Sequence, residues 1–137
     1  MILTEDDTVF VCGDNEDGQL GLGGTTNRNT FTAVPALPDG KVAKQVIPGV
    51  AHTMILAEDG TVFACGYNTY GQLGLGDNTA RNTFTAVPPL PDGKVAKQVV
   101  AGTIHTIGRA EYGAGLGSGP HAVGRIGLDD DTHRDSF

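Results

Sequence analysis

The strongest constraint on this chain is that most of it is written twice. Residues 1–53 align without a gap onto residues 54–106, and 39 of the 53 positions are identical. "TFTAVPALPDGKVAKQV" at 30–46 returns as "TFTAVPPLPDGKVAKQV" at 83–99. The same offset runs on into the remainder. "GRIGLDDDTHRDSF" at 124–137 aligns onto "GQLGLGDNTARNTF" at 71–84, keeping Gly124, Gly127, Leu128, Thr132, Arg134 and Phe137. The organisation read from this is one repeat domain, with repeat 1 at 1–53, repeat 2 at 54–106 and a degenerate, truncated repeat 3 at 107–137. Near-identical units of this length bury their apolar faces against one another, so the period selects a stacked repeat architecture.

Each copy has the marks of four short strands. In "HTMILAEDGTVFACG" two apolar runs, Met54–Ala57 and Val62–Cys65, flank Glu58-Asp59-Gly60. Asp-Gly between β-prone runs is a strong hairpin signal, because glycine accepts the positive φ that the turn demands. Neither run alternates apolar with polar, so both faces of the hairpin are expected to be covered. "GKVAKQVIPG" at 40–49 reads as a further strand, and Thr83–Val87 as a fourth, closed by Pro88 and Pro89, which cannot donate to a ladder. No stretch reads as a helix. Four short strands and one glycine-dense loop in about 50 residues describe a propeller blade. The predicted fold is all-β: a partial β-propeller of about two and a half blades, each of four antiparallel strands.

The glycine-dense loop, "GQLGLG" at 18–23 and 71–76, invites comparison with phosphate-binding loops. Its spacing is G-x-x-G-x-G, the reverse of the dinucleotide fingerprint, with no lysine after it and no helix pattern to follow. Its recurrence once per repeat points to tight turns where backbone passes close to backbone. Leu73 and Leu75 are expected to pin the second loop to the blade edge.

Composition narrows the function. The 137 residues carry a formal charge of −7 and a pI near 4.8, with no basic tail, which disfavours direct nucleic-acid binding. No apolar run approaches the ~20 residues that cross a bilayer, and the acidic N-terminus does not resemble a signal peptide. Two cysteines, Cys12 and Cys65, are too few for a disulfide scaffold and fit a reducing compartment. A soluble cytoplasmic or nuclear protein without membrane contact is expected.

The second copy resembles the repeat of the regulator of chromosome condensation family. The residues that carry the resemblance are Gly102, His105, Thr106, Asp59, Gly60, Gly66, Asn68, Gly71, Gln72, Leu73 and Gly74. The first copy supplies Gly49, His52, Thr53, Gly13, Asn15, Gly18, Gln19, Leu20 and Gly21. The resemblance implies seven-bladed propellers that work through protein contacts. Where the family commonly has tryptophan before the glycine, this chain has Cys12, Cys65 and Ser118, and it contains no tryptophan. Light sensing through clustered tryptophans, known in the family, is thus not expected.

No catalytic, metal or cofactor constellation emerges. His52 and His105 are repeat-equivalent and are expected to cap turns through their rings; Cys12 and Cys65 read as separate thiols. Asp129-Asp130-Asp131 lacks the calcium-loop pattern and reads as a solvated turn. The copies differ mainly at three places. Asp14, Glu16 and Asp17 correspond to Tyr67, Thr69 and Tyr70; 24–27 correspond to 77–80; 47–51 correspond to 100–104. Loops that vary on a fixed scaffold are where partners bind, and tyrosines are favoured anchors. Asp14, Glu16, Asp17, Tyr67 and Tyr70 are therefore the candidate partner contacts. The functional expectation is a non-enzymatic protein-interaction module, with a small GTPase as candidate partner. Guanine-nucleotide exchange and substrate recognition within a larger ubiquitin ligase are the alternatives. Since a ring needs ~4–8 blades, the missing blades are expected from a longer chain or from self-association.

Overall fold

A computed structural model describes residues 1–111 and 115–119. Among the described residues ten strands form three antiparallel sheets. The first contains β1 (Ile2–Leu3), β2 (Val9–Gly13) and β3 (Arg28–Ala33); the second β4 (Ala43–Pro48), β5 (His52–Ala57), β6 (Val62–Gly66) and β7 (Arg81–Ala86). The third contains β8 (Ala96–Ala101), β9 (Thr106–Ala110) and β10 (Gly115–Ser118). Strand order within each sheet follows the chain, as hairpin connections require. The middle sheet takes its strands from 43–86 and so straddles the 53/54 boundary of the sequence repeat. The helical turns among the described residues are two three-residue 3-10 turns, Pro38–Gly40 and Pro91–Gly93. The sheets are blades: β5 packs against β8, β1 against β4, and β4 approaches β8.

The unbroken apolar runs follow from this stacking. Successive side chains of a strand point to opposite faces, and both faces of the middle blade meet a neighbour. Ile55, Ala57, Phe63, Cys65 and Phe84 join Val9, Val11 and Leu20 in a core between blades 1 and 2. Met54, Leu56, Val62 and Ala64 face the other way, into a core with Leu73, Ala96 and Val99 between blades 2 and 3. All of β5 and β6 is buried. Gly60, at φ +85, closes the hairpin, and a Cβ there would stand 2.1 Å from Val95 Cγ1. The ladder slips register at the same place in blades 2 and 3, between Ala43 and Gln45 and between Ala96 and Gln98, so the bulge belongs to the repeat.

The glycine loop does more than pin itself to its own blade. Leu20 is buried between blades 1 and 2, and Leu73 is buried between blades 2 and 3. The 18–23 loop crosses the seam. Leu22 forms a β-bridge with Thr83, and the Gly23 amide donates to the Asn82 carbonyl at 2.8 Å. A Cβ on Gly18 would lie 2.7 Å from Asn82 Cα, and one on Gly21 2.4 Å from the Phe84 ring. Two glycines are thus demanded by the backbone and ring of the next blade. The acidic run 129–131 lies outside the described residues.

Candidate functional site

The loops that differ between copies emerge at one end of the blades. His52 opens β5 opposite Gly66, which closes β6. The 49–51 turn and the 67–80 loop therefore leave the sheet together, and the Tyr67 amide donates to the Ala51 carbonyl at 2.8 Å. Repeat equivalence places the 14–27 loop at the same end of blade 1.

A buried asparagine shapes each loop. Asn68 Nδ2 donates to the carbonyls of Asp77 (2.9 Å) and Thr79 (3.0 Å), and its Oδ1 accepts the Leu73 amide at 3.0 Å. Asn15 does the same with Gly24, Thr26 and Leu20. One amide thereby satisfies three backbone groups that would otherwise be buried unpaired.

The glutamines show how variation alters the chemistry. Gln19 Oε1 accepts the Asp17 amide and its Nε2 donates to Asp14 Oδ2 at 3.2 Å. Gln72 Oε1 accepts the Tyr70 amide at 3.1 Å. Its Nε2 is buried without a hydrogen-bond partner among the described residues, because Tyr67 stands where copy 1 has Asp14.

The His52 side chain reaches between blades instead of capping a turn. Thr106 Oγ1 donates to the Gln72 carbonyl at 2.8 Å. It therefore accepts from His52 Nε2, 3.0 Å away, so that Nε2 carries the ring proton. Burial, with a smaller effect from His105, lowers the His52 pKa from 6.5 to about 4, keeping the ring neutral. Gly49 is required by the ring it contacts, since a Cβ would meet His52 Cε1 at 2.8 Å; Gly102 stands likewise against His105. At the preceding seam Thr53 Oγ1 donates to the Gln19 carbonyl at 2.7 Å, joined by Cys65 Sγ at 3.4 Å. At the following one Ser118 donates to the Gly71 carbonyl. Cys12 and Cys65 are free thiols, and burial raises the Cys65 pKa.

The surface above this framework is acidic on blade 1 and aromatic on blade 2. Asp14 and Glu16 are exposed and Asp17 half-buried. Tyr67 and Tyr70 meet edge to face, with ring centroids 6.1 Å apart. Glu16, Asp17 and Thr25 form one wall of a cleft of about 300 Å³, and Ala80, Arg81 and Asn82 the other. Arg81 is the residue that sequence reasoning missed. Its guanidinium binds Asp77 Oδ2 at 2.7 Å and holds that carboxyl below the usual range. The signal was present, since "RNTFTA" begins with arginine in both copies, but nothing local announced a cleft. Two cavities at the opposite end, of about 300 and 200 Å³, are repeat-equivalent seams lined by Val34-Pro35 and Val87-Pro88. Among the described residues no cluster of three or more His, Cys, Asp or Glu could hold a metal ion. No described helix is long and apolar enough to cross a membrane.

Comparison with known proteins agrees with this geometry. A human X-linked retinitis pigmentosa GTPase regulator is 37% identical over 127 residues, covering 93% of this chain and 12% of that protein. A secretion-regulating guanine nucleotide exchange factor from Bos taurus is 37% identical over 123 residues, covering 85% of this chain and 26% of that protein. The structure of Prp20p from Saccharomyces cerevisiae superposes with a TM-score of 0.81 at 24% identity, over 98% of this chain and 34% of that one. The chain thus spans between 12% and 34% of the length of these proteins. The profile of the regulator of chromosome condensation (RCC1) repeat matches residues 6–56 and 59–109. With two matched repeats in three stacked four-stranded or three-stranded blades, this chain belongs to the regulator of chromosome condensation repeat family.

Proposed function

We propose that this chain is the protein-binding part of a propeller surface, and that its partner is a small GTPase. One observation carries the reading. On a scaffold repeated almost residue for residue, the substitutions gather at one end of the blades, where they set an acidic loop beside a tyrosine pair and a cleft. Asn15 and Asn68 organise both loops in the same way, and of the acidic residues Asp14 also takes part in its own loop through Gln19. The GTPase assignment rests on the relatives, one named as a GTPase regulator and one as a guanine nucleotide exchange factor. Asp14, Glu16 and Asp17 would steer and orient a basic patch of the partner, and Tyr67 and Tyr70 would anchor it. No bond is made or broken in this role.

The bovine relative's name favours a second reading, nucleotide exchange, in which the same contacts loosen a bound nucleotide. Both are tested with a panel of small GTPases preloaded with fluorescent GDP. Binding that falls at least tenfold in Tyr70→Ala and in Asp17→Lys, with unchanged release rates, supports the binding module; the loss corresponds to ~1.4 kcal/mol. Faster release moves the assignment to exchange. Absence of binding to every member removes the GTPase.

A further inference from the structure

We propose that the second glycine loop binds a carboxylate, the side chain of an aspartate or glutamate of the partner, with Gln72 Nε2 as the donor that receives it. This rests on the reading of this end of the blades as a partner surface, though not on which protein binds there. The two copies show what is missing and what fits. In copy 1 the acceptor is built in: Gln19 Oε1 accepts the Asp17 amide at 3.0 Å, and Nε2 donates to Asp14 Oδ2 at 3.2 Å. In copy 2 the Tyr70 amide occupies Gln72 Oε1 at 3.1 Å, which fixes the side-chain amide and leaves Nε2 as the donor. Gln72 is fully buried, and that nitrogen has no partner among the described residues. A buried donor left unpaired is costly, and an acceptor that reaches it removes the cost. Asp14 identifies the acceptor, since the equivalent amide holds a carboxylate there.

The charge of the loop changes in step. Residues 14–27 contain three acids, Asp14, Glu16 and Asp17, and no lysine or arginine. Residues 67–80 contain one acid, Asp77. Its Oδ2 binds the Arg81 guanidinium at 2.7 Å and its Oδ1 accepts the Thr79 amide at 2.9 Å, so the loop holds no uncompensated negative charge. An incoming anion is thus repelled by copy 1 and admitted by copy 2. The tyrosines suit the same guest. Their rings meet edge to face, with centroids 6.1 Å apart, and an aromatic edge carries the positive end of the ring quadrupole. Tyr67, at the position of Asp14, is half-buried, and Tyr70 is 37% exposed. Nε2 has no free surface while the rings rest together, so the ligand enters as the Tyr67 ring turns outward. A charge-assisted hydrogen bond then forms in a site shielded from water, where it is stronger than on an open surface.

Nuclear magnetic resonance of the isotope-labelled chain tests this, with sodium acetate as the probe at neutral pH and the ionic strength held with sodium chloride. The Gln72 side-chain amide resonances should shift saturably, while those of Gln19 stay in place. Acetamide, a neutral acceptor of the same shape, should bind at least tenfold more weakly. Tyr67→Asp installs the acceptor of copy 1 and should weaken acetate binding at least tenfold. Gln72→Glu keeps an oxygen for the Tyr70 amide but replaces the donor with a second acceptor, and should abolish the response read at that amide. No saturable shift at Gln72 overturns the proposal. So does an equal shift at Gln19, an equal response to acetamide, or undiminished binding by Tyr67→Asp. If Gln72→Glu does not fold, Tyr67→Asp and acetamide decide alone. The GTPase assignment stands or falls separately, since the acetate response is read without any GTPase present.

Discussion

Blades 1 and 2 are built from nearly the same residues, and only one of them is enclosed. In blade 2 every residue of β5 and β6 is buried between two neighbours, whereas Phe10 and Cys12 of β2 are only partly covered. Local propensity is equal in the two, so the difference isolates what stacking contributes. A strand here is stabilised chiefly by the sheets on either side of it, as expected for a quasi-linear repeat array. The seam adds directional links to that apolar contact: a bridging leucine, an amide from Gly23, and hydroxyls from Thr53 and Thr106 onto the carbonyls of Gln19 and Gln72.

The sharpest way to break the comparison is to make the same substitution in both blades. Phe84→Ala should cost ~3–5 kcal/mol, the range for emptying a buried aromatic site. Phe31→Ala, in an identical hexapeptide but exposed, should stay within ~0.5 kcal/mol. Urea denaturation at low protein concentration reads both. Equal costs would mean that the blades are not differently enclosed.

Next in size is the pH dependence of the buried imidazole that bridges blades 2 and 3. The His52 pKa falls from 6.5 when free to about 4 when folded. The unfolded chain therefore takes up the proton first as pH drops. Stability is undiminished above pH 6.5 and declines toward pH 4, by up to ~3 kcal/mol for this group. Carboxylates also titrate there, so the measure is the difference between wild type and His52→Gln, whose profile should be flatter. Parallel profiles would count against a buried neutral ring.

A smaller effect sharpens the account of the loop. Gly21→Ala places a methyl against the Phe84 ring at φ +68 and should cost ~1–3 kcal/mol. Gly24→Ala, three residues on in open space without positive φ, should be neutral or stabilising by up to ~1 kcal/mol. Thermal melts of the two variants give the order directly.

Much of this was legible in the amino acids. The period exposed the repeat, Asp59-Gly60 marked the hairpin, and the apolar runs of β5 and β6 implied cover on both faces. Other features were not, for physical reasons. A period shows that a loop recurs but not which blade it touches, so Leu73 and Leu75 read as pins onto their own blade's edge, whereas Leu73 fills the seam between blades 2 and 3 and Leu75 packs against it. Asn15 and Asn68 matched a family pattern, but their three backbone bonds depend on loop closure across 9 to 11 residues. His52 finds Thr106 from 54 residues away, a pairing set by blade geometry. The cleft beside Arg81 exists only because two loops from different copies converge.

Native-state hydrogen exchange, read amide by amide, tests the central claim that neighbouring blades hold each blade in place. The amides of Met54–Ala57 and Val62–Cys65 should exchange slowest, those of Phe10–Cys12 faster despite matching sequence, and Gly23 should be protected by its bond to Asn82. Equal protection of β2 and β6, or a Gly23 amide exchanging as freely as an open loop, would contradict it.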